Sequence, residues 1–168
     1  MSESSKYSIN LKSIGLDKEQ FVWTLDDDFF AGLDQELISR GSVRVTLRVI
    51  KTSGNFRLLF DVEGQVTVPC DRCLEPMQQP VQGAHELSAV LGETYQDDGD
   101  VITVPDETGI VNLAWNLYEI VALLIPIAHV HPEGQCNTDM AQLLSRHTAQ
   151  GQTDHRWDAL KALKSPDQ

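Results

Sequence analysis

The chain has 168 residues, of which 41% are hydrophobic and 23% charged, and its net charge is −12. This length favours a single domain over residues 1–168, with enough apolar side chains for an ordinary core. No apolar run approaches the roughly 20 residues of a membrane span, and the N-terminus lacks an apolar signal region, so we expect a soluble cytoplasmic protein. The three cysteines are too few for a disulfide scaffold, which favours metal binding or reduced thiols.

Alternating apolar and polar residues predict β-strands through most of the first two thirds of the chain. Residues 1–6 come before this pattern and are polar, so we expect them to be flexible. The clearest alternation covers residues 42–51 and 56–62, on either side of a turn at Ser53-Gly54. A two-residue turn there predicts three apolar pairs across a hairpin: Val49–Leu58, Leu47–Phe60 and Val45–Val62. Gly64 is predicted to mark a bulge further along the second strand. Other strands are predicted at 7–11, 21–25, 66–68, 81–91 and 101–104.

Helical patterns follow in the second half of the chain. Residues 113–124, which Asn112 can cap, place apolar side chains on one stripe at helical spacing. Residues 156–163 predict a short C-terminal helix, on a tail that is loosely attached from about residue 137. The sequence therefore predicts an α+β domain: a curved antiparallel β-sheet or partly closed barrel, with the 113–124 helix buried against it.

The cysteines suggest a metal site. Cys70 and Cys73 form a Cys-x-x-Cys knuckle, and two thiols at this spacing can converge on one ion from a single tight turn. His131 and Cys136 are the best candidates for the two further ligands of a structural zinc site. The alternative is that the thiols are simply reduced and partly buried. A redox role would favour a helix directly after the knuckle, to lower the thiol pKa, whereas the pattern predicts a strand.

Four arginines near the hairpin and the knuckle form a candidate RNA-phosphate surface: Arg44, Arg48, Arg57 and Arg72. Internal neutralisation is the alternative, because the predicted register places Glu63 opposite Arg44 and Asp61 diagonal to Arg48.

The charge is unevenly spread along the sequence. Between Arg72 and Arg146 there are 11 acidic residues and no lysine or arginine. Such a segment should repel nucleic acid and attract basic partners, although a solvated acidic surface explains it equally well. The sequence contains no glycine-rich phosphate loop, His-Glu-x-x-His motif or nucleophile elbow, so we expect no enzymatic activity.

The knuckle Cys70-Asp-Arg-Cys73-Leu-Glu-Pro resembles that of the YceD-like family, the large ribosomal RNA subunit accumulation proteins of bacteria and plastids. The acidic middle, the 113–124 helix, His131 with Cys136, and a closing Arg156-Trp157 segment follow in the family's order. Many relatives carry a second cysteine pair where this chain has only Cys136.

The resemblance implies a non-catalytic ribosome-biogenesis factor that supports accumulation or processing of large-subunit (23S) ribosomal RNA. Its partner would be precursor large-subunit rRNA or a large-subunit ribosomal protein. Two alternatives stand beside this hypothesis. One is an acidic chaperone for a basic ribosomal protein that makes no contact with RNA, and the other is a zinc or thiol enzyme.

Overall fold

The computed structural model describes residues 6–15 and 19–147. Strands and helices in this part of the chain are numbered here in sequence order. The strands are β1 (Ser8–Asn10), β2 (Glu19–Leu25), β3 (Arg40–Lys51), β4 (Phe56–Pro69), β5 (Pro76–Gly92), β6 (Gln96–Asp97), β7 (Val101–Pro105) and β8 (Ile110–Asn112). The α-helices are α1 (Asp27–Gly32), α2 (Ala114–Leu123) and α3 (Thr138–His147).

Six strands form one curved sheet in the order β2-β3-β4-β5-β7-β6, and β1 pairs with β8 in a small separate sheet. The α+β class is therefore confirmed. The sheet is mixed, however, because β7 runs parallel to β5, with Ser88 beside Val101. After β5 the chain passes outward through β6 and folds back inward as β7, which reverses its direction. The predicted curved sheet is antiparallel except for this one parallel pair, and of the two predicted alternatives it is the open sheet and not the partly closed barrel that is found, since β2 and β6 remain separate edges.

The β3–β4 hairpin has the predicted register. Its ladder pairs Val49 with Leu58 and Val45 with Val62, and it continues without interruption from Phe56 to Thr67. The bulge predicted at Gly64 is absent from this described ladder, where Gly64 lies directly opposite Val43. A Cβ atom at Gly64 would lie 2.6 Å from the Cα of Val43 and would also collide with the carbonyl oxygen of Ser42. Glycine is therefore needed here because the two backbones approach closely.

The β4–β5 hairpin places the knuckle. Its ladder runs from the pair Phe56–Ala89 at one end to the pair Pro69–Pro76 at the other. Residues 70–75 are the turn that joins these strands. The two knuckle cysteines thus lie at the tip of the longest hairpin in the described chain, and β5 begins five residues before the predicted start of its strand.

Helix α2 packs against the sheet, as predicted. Leu117, Ile120 and Val121 are buried against the strands, and the side chain of Asn112 accepts a hydrogen bond from the backbone N–H of Ala114. Past the end of the helix, Leu124 lies over Gly83 of β5, where a larger side chain would collide with it. The position of the helix is therefore determined by apolar burial and by the space that the missing side chain of Gly83 leaves on the sheet.

Helix α3 differs from α2 because none of its residues is buried. The loose attachment expected from about residue 137 stays a prediction, and the helix predicted at 156–163 lies outside the described residues, as do residues 1–5. Within the described ranges, no helix is both long enough and apolar enough to cross a membrane.

We expect Gly64→Ala to lower the free energy of unfolding by about 1–3 kcal/mol, because the added methyl group forces β3 and β4 apart. Urea denaturation followed by circular dichroism measures this change. Gly32→Ala is the matched control, since a Cβ atom at Gly32 meets nothing within 4 Å and alanine favours the helix. Equal stability of the Gly64→Ala variant and the wild type would contradict the close approach of the two strands.

Candidate metal centre

The knuckle turn is closed by its own backbone. The N–H of Cys70 donates to the carbonyl of Glu75 at 2.9 Å, and the N–H of Leu74 donates to the carbonyl of Cys70 at 2.8 Å. Leu74 has φ of 62°, a left-handed conformation that is uncommon for a residue other than glycine. This turn brings both cysteine side chains to the same side, where both are buried.

A second segment is bound to the turn by Asp71. Its backbone N–H donates to the carbonyl of His129 at 3.0 Å, and its carboxylate accepts the N–H of His129 at 2.8 Å. The ring of His129 is buried and lies 3.0 Å from the carbonyl oxygen of Pro126. The chain that leaves α2 is therefore held against the knuckle just before it reaches His131.

The four predicted ligands converge. The ligand atoms of Cys70, Cys73, His131 and Cys136 all lie within 4.8 Å of one another, and Cys73 Sγ is 3.4 Å from His131 Nδ1. In a tetrahedral zinc site with Zn–S bonds of about 2.3 Å, neighbouring ligand atoms lie roughly 3.5–3.8 Å apart. Among the residues that the structure describes, this is the one group of this kind suited to a metal ion. Three thiols and one imidazole in this arrangement fit zinc chemically.

The unusual four-residue gap between His131 and Cys136 has a structural explanation. The N–H of Gln135 donates to the carbonyl of Pro132 at 3.0 Å, which closes a turn. Gly134 within this turn has φ of 81°, where glycine is favoured. The turn reverses the chain and thereby brings Cys136 back toward Cys70, Cys73 and His131.

Backbone N–H groups surround the sulfur atoms and favour their charged form. Burial alone would raise the pKa of the Cys70 thiol, but hydrogen bonds from the backbone N–H groups of His131, Arg72 and Cys73 outweigh burial and lower it to about 6. Burial opposes ionisation of Cys73 as well, and N–H groups of Asn137 and Glu75 lower its pKa.

These interactions suit a metal ion. The pKa of His131 is raised because both knuckle sulfurs hydrogen-bond to its ring. A metal ion would displace the protons from these groups, and the N–H donors would then support the bound thiolates. The four side chains are therefore placed so that they could hold a metal ion, and supporting hydrogen bonds are in place.

The four arginines of the candidate RNA surface are not equally available. Arg48 forms an ion pair with Asp61 at 2.9 Å. Arg57 makes a bidentate pair with Glu86, at 2.7 and 2.9 Å, which raises the pKa of the arginine and lowers that of the carboxyl.

Arg44 lies opposite Glu63 in the ladder, while Arg72 is exposed in the knuckle turn, away from the sheet face that carries the other three. The arginines thus form no single bare cationic patch within the described residues.

Sequence reasoning missed three residues of the site. Asp71 and His129 hold the two segments together, and Asn137 donates its backbone N–H to the sulfur of Cys73. Asp71 sits between the cysteines and His129 stands two residues before His131, so proximity to predicted ligands was the available signal. Asn137 acts through its backbone N–H, which any residue except proline would provide.

A family model described as "Large ribosomal RNA subunit accumulation protein YceD" matches residues 58–164. The chain belongs to this family. The matched region is more than half of the chain and contains the knuckle, α2 and all four ligands of the cluster. No curated protein and no solved structure matches the chain. The resemblance carried by the knuckle is confirmed, and YceD membership links the protein to accumulation of the large ribosomal RNA subunit.

We expect Asp71→Ala to lower the free energy of unfolding by about 1 kcal/mol, because it removes a charged acceptor from the His129 N–H while leaving the backbone bond in place. Thermal and urea unfolding measure the change. Glu133→Ala is the matched control, since it removes an exposed carboxylate from the same region. Equal effects of the two substitutions would show that Asp71 contributes only its charge.

Proposed function

We propose that this YceD-family protein is a non-catalytic ribosome-biogenesis factor that supports accumulation of large-subunit (23S) ribosomal RNA in the cytoplasm. The family match over residues 58–164 carries this proposal. Its direct partner is precursor rRNA or a large-subunit ribosomal protein. The two candidate surfaces for these partners carry opposite charge, which allows them to be tested separately.

Charge supports a basic protein as the direct partner. Arg48 and Arg57 already contact carboxylates, so part of their positive charge is neutralised at the surface before any phosphate binds. The chain between Arg72 and Arg146, in contrast, carries 11 acidic residues, of which Glu86 and Asp106 are paired with cations from elsewhere, and no lysine or arginine of its own. Such a surface attracts a basic ribosomal protein and repels the phosphates of RNA.

We further propose that the cluster binds zinc in a structural role. Four protein ligands complete a tetrahedral shell, as in structural sites, whereas catalytic zinc keeps one position open for water or substrate. The ligands come from two segments about sixty residues apart, so the ion would join the β4–β5 hairpin to the chain after α2.

The same geometry argues against a zinc or thiol enzyme. Cys70 is 0% exposed and Cys73 is also buried, whereas reactive cysteines are partly exposed to their substrates. The low pKa of Cys70 is accounted for by hydrogen bonds that also suit a metal-bound thiolate. The cluster is therefore better suited to stabilising the fold than to chemistry.

Protein purified without chelators should contain about one zinc per chain by elemental analysis, and Cys70→Ser should release it. Because structural zinc is coupled to folding, this variant should also have a lower Tm, and a strong chelator should lower the Tm of the wild type. His147→Gln, a substitution of an exposed histidine outside the cluster, should change neither property. Less than about a tenth of an equivalent in the wild type would contradict the zinc proposal.

Two variants separate the two partner classes. Arg44→Ala with Arg72→Ala removes the two of the four candidate arginines that form no ion pair within the described residues. Asp97→Asn with Asp98→Asn and Asp100→Asn neutralises the centre of the acidic segment. Tagged protein is crosslinked in cells, and the captured RNA and protein are then quantified. We expect the acidic variant to capture about tenfold less of a basic protein partner than the wild type captures, whereas the arginine variant captures the normal amount.

The reverse result would establish direct RNA binding. Loss of captured rRNA in the arginine variant, with a flatter dependence on salt, is the signature of phosphate contacts. Normal levels of large-subunit rRNA in cells that lack the protein would contradict the proposed function itself, whichever partner is captured.

A further inference from the structure

A cavity of about 330 Å³ lies beside α2, on the opposite end of β5 from the metal cluster. One wall is formed by buried and exposed residues of α2, and the other by β5 and the turn that precedes β7. Its volume is within the range of sites that take a small molecule or a single side chain. None of the ligands of the metal cluster lines it.

Asn116, one of the residues that line this cavity, has a buried side-chain oxygen without a hydrogen-bond partner. Asn116 is only 3% exposed, and its amide nitrogen donates to Asp97 Oδ2 at 3.0 Å. A carboxylate accepts and cannot donate, so this bond determines which end of the amide is nitrogen. The amide oxygen is consequently left without a partner, and among the described residues it is the one buried side-chain oxygen or nitrogen in that state. A buried acceptor of this kind is rare in folded proteins.

The cavity is strongly negative. Asp100 and Glu119 line it with exposed carboxylates, and Asp97 stands behind Asn116. None of these three carboxylates forms an ion pair among the described residues, and the sequence from residue 73 to 145 contains no lysine or arginine. Anionic ligands, including RNA phosphates, would be repelled, whereas a cation with hydrogen-bond donors would satisfy both the charge and the orphaned oxygen.

A bare metal ion does not fit this requirement. In the described residues, the cysteine–histidine cluster is the one group of three or more histidine, cysteine, aspartate or glutamate side chains close enough to share an ion. The carboxylates that line the cavity do not form a second group of this kind. Leu87, Ile120 and Leu123 also give the cavity an apolar side, and Leu123 is 74% exposed. A cation on a hydrocarbon stem matches this combination, because the stem can cover apolar surface while its charged head stays at the carboxylates.

We propose that this cavity binds an arginine side chain of a basic protein partner. The guanidinium carries five N–H donors in one plane, which suits several acceptors spread around a cavity better than the point charge of lysine does. It donates to Asp100 and Glu119, and a small rotation of the Asn116 side chain that keeps its nitrogen bonded to Asp97 presents the amide oxygen as a third acceptor. The stem packs on Leu123. The identity of the partner as a basic protein rests on the proposed function, whereas the chemistry of the cavity does not.

Purified zinc-loaded protein, labelled with ¹⁵N, is titrated with the peptide Gly-Ser-Arg-Ser-Gly and with the same peptide carrying citrulline or lysine in place of arginine. Citrulline keeps the shape of arginine without its charge. We expect the arginine peptide to shift the side-chain amide signals of Asn116 and the backbone signals of 98–100 and 116–120, and to bind at least about tenfold more tightly than the citrulline peptide. Equal binding of the citrulline peptide overturns the site, and equal binding of the lysine peptide overturns the guanidinium assignment.

Variants locate the binding in this cavity. Glu119→Gln changes an exposed residue and should fold normally, yet weaken arginine binding about tenfold; Asn116→Leu should abolish it. Glu107→Gln removes the same charge from an exposed turn outside the cavity and should leave binding unchanged. Equal loss in Glu107→Gln and Glu119→Gln would show attraction by the general negative field and overturn the site.

The peptide titration and the cellular assays fail independently. If cells lacking the protein keep normal rRNA, the proposed function fails while peptide binding can persist. If the peptide does not bind while the Asp97, Asp98 and Asp100 variant still loses its captured protein, the basic partner stands and the cavity assignment fails.

Discussion

The backbone ladder between β4 and β5 runs from Phe56–Ala89 to Pro69–Pro76, and the other parts of the molecule are arranged around it. One end of the ladder is the turn with Cys70 and Cys73. Toward its other end β5 forms one wall of the acidic cavity and then pairs with β7. At a rise of about 3.3 Å per residue, the two sites lie roughly 30 Å apart along β5. A hairpin of this length therefore separates the candidate metal site from the acidic cavity.

Helix α2 connects the same two regions by a second route. Asn116 near its start lines the acidic cavity, and the chain after its end supplies His131 and Cys136 to the cluster. The Asp71–His129 hydrogen bonds hold that chain against the knuckle. The cysteine–histidine cluster and the cavity are therefore connected through one helix and the chain that follows it.

The parts of the fold that were predictable from sequence are those set by local chemistry. The turn at Ser53-Gly54 determined the hairpin register, because side chains alternate with a period of two and a shift of one residue would have exposed the apolar face. Gly64 was misread because a glycine in a strand indicates either a bulge or a close backbone approach, and the two are distinguished only by the neighbouring strand. The parallel β5–β7 pairing depends on a return path that no local pattern specifies.

The residues of the site divide in the same way, into those that local chemistry predicts and those that depend on the path of distant strands. Thiol and imidazole chemistry identified all four members of the cluster before any geometry was known. The ion pair of Arg48 with Asp61 followed from cross-strand neighbours, whereas that of Arg57 with Glu86 required the register of a third strand, β5. Asn116 lies within an apolar helical stripe and gave no signal, since its unpaired oxygen exists only because Asp97 occupies the other end of its amide.

The sheet ends at β6, a strand of only two residues, Gln96 and Asp97. Sheets aggregate when exposed edge strands of different molecules pair and the stack continues through the opposite edge. A two-residue edge next to Asp98 and Asp100 offers few backbone groups for pairing and repels another copy of itself. Beside β7 this edge is therefore poorly suited to strand addition, whereas β5 pairs with β7 only from Ser88 to Gly92 and leaves residues 76–87 without a partner strand on that side among the described residues.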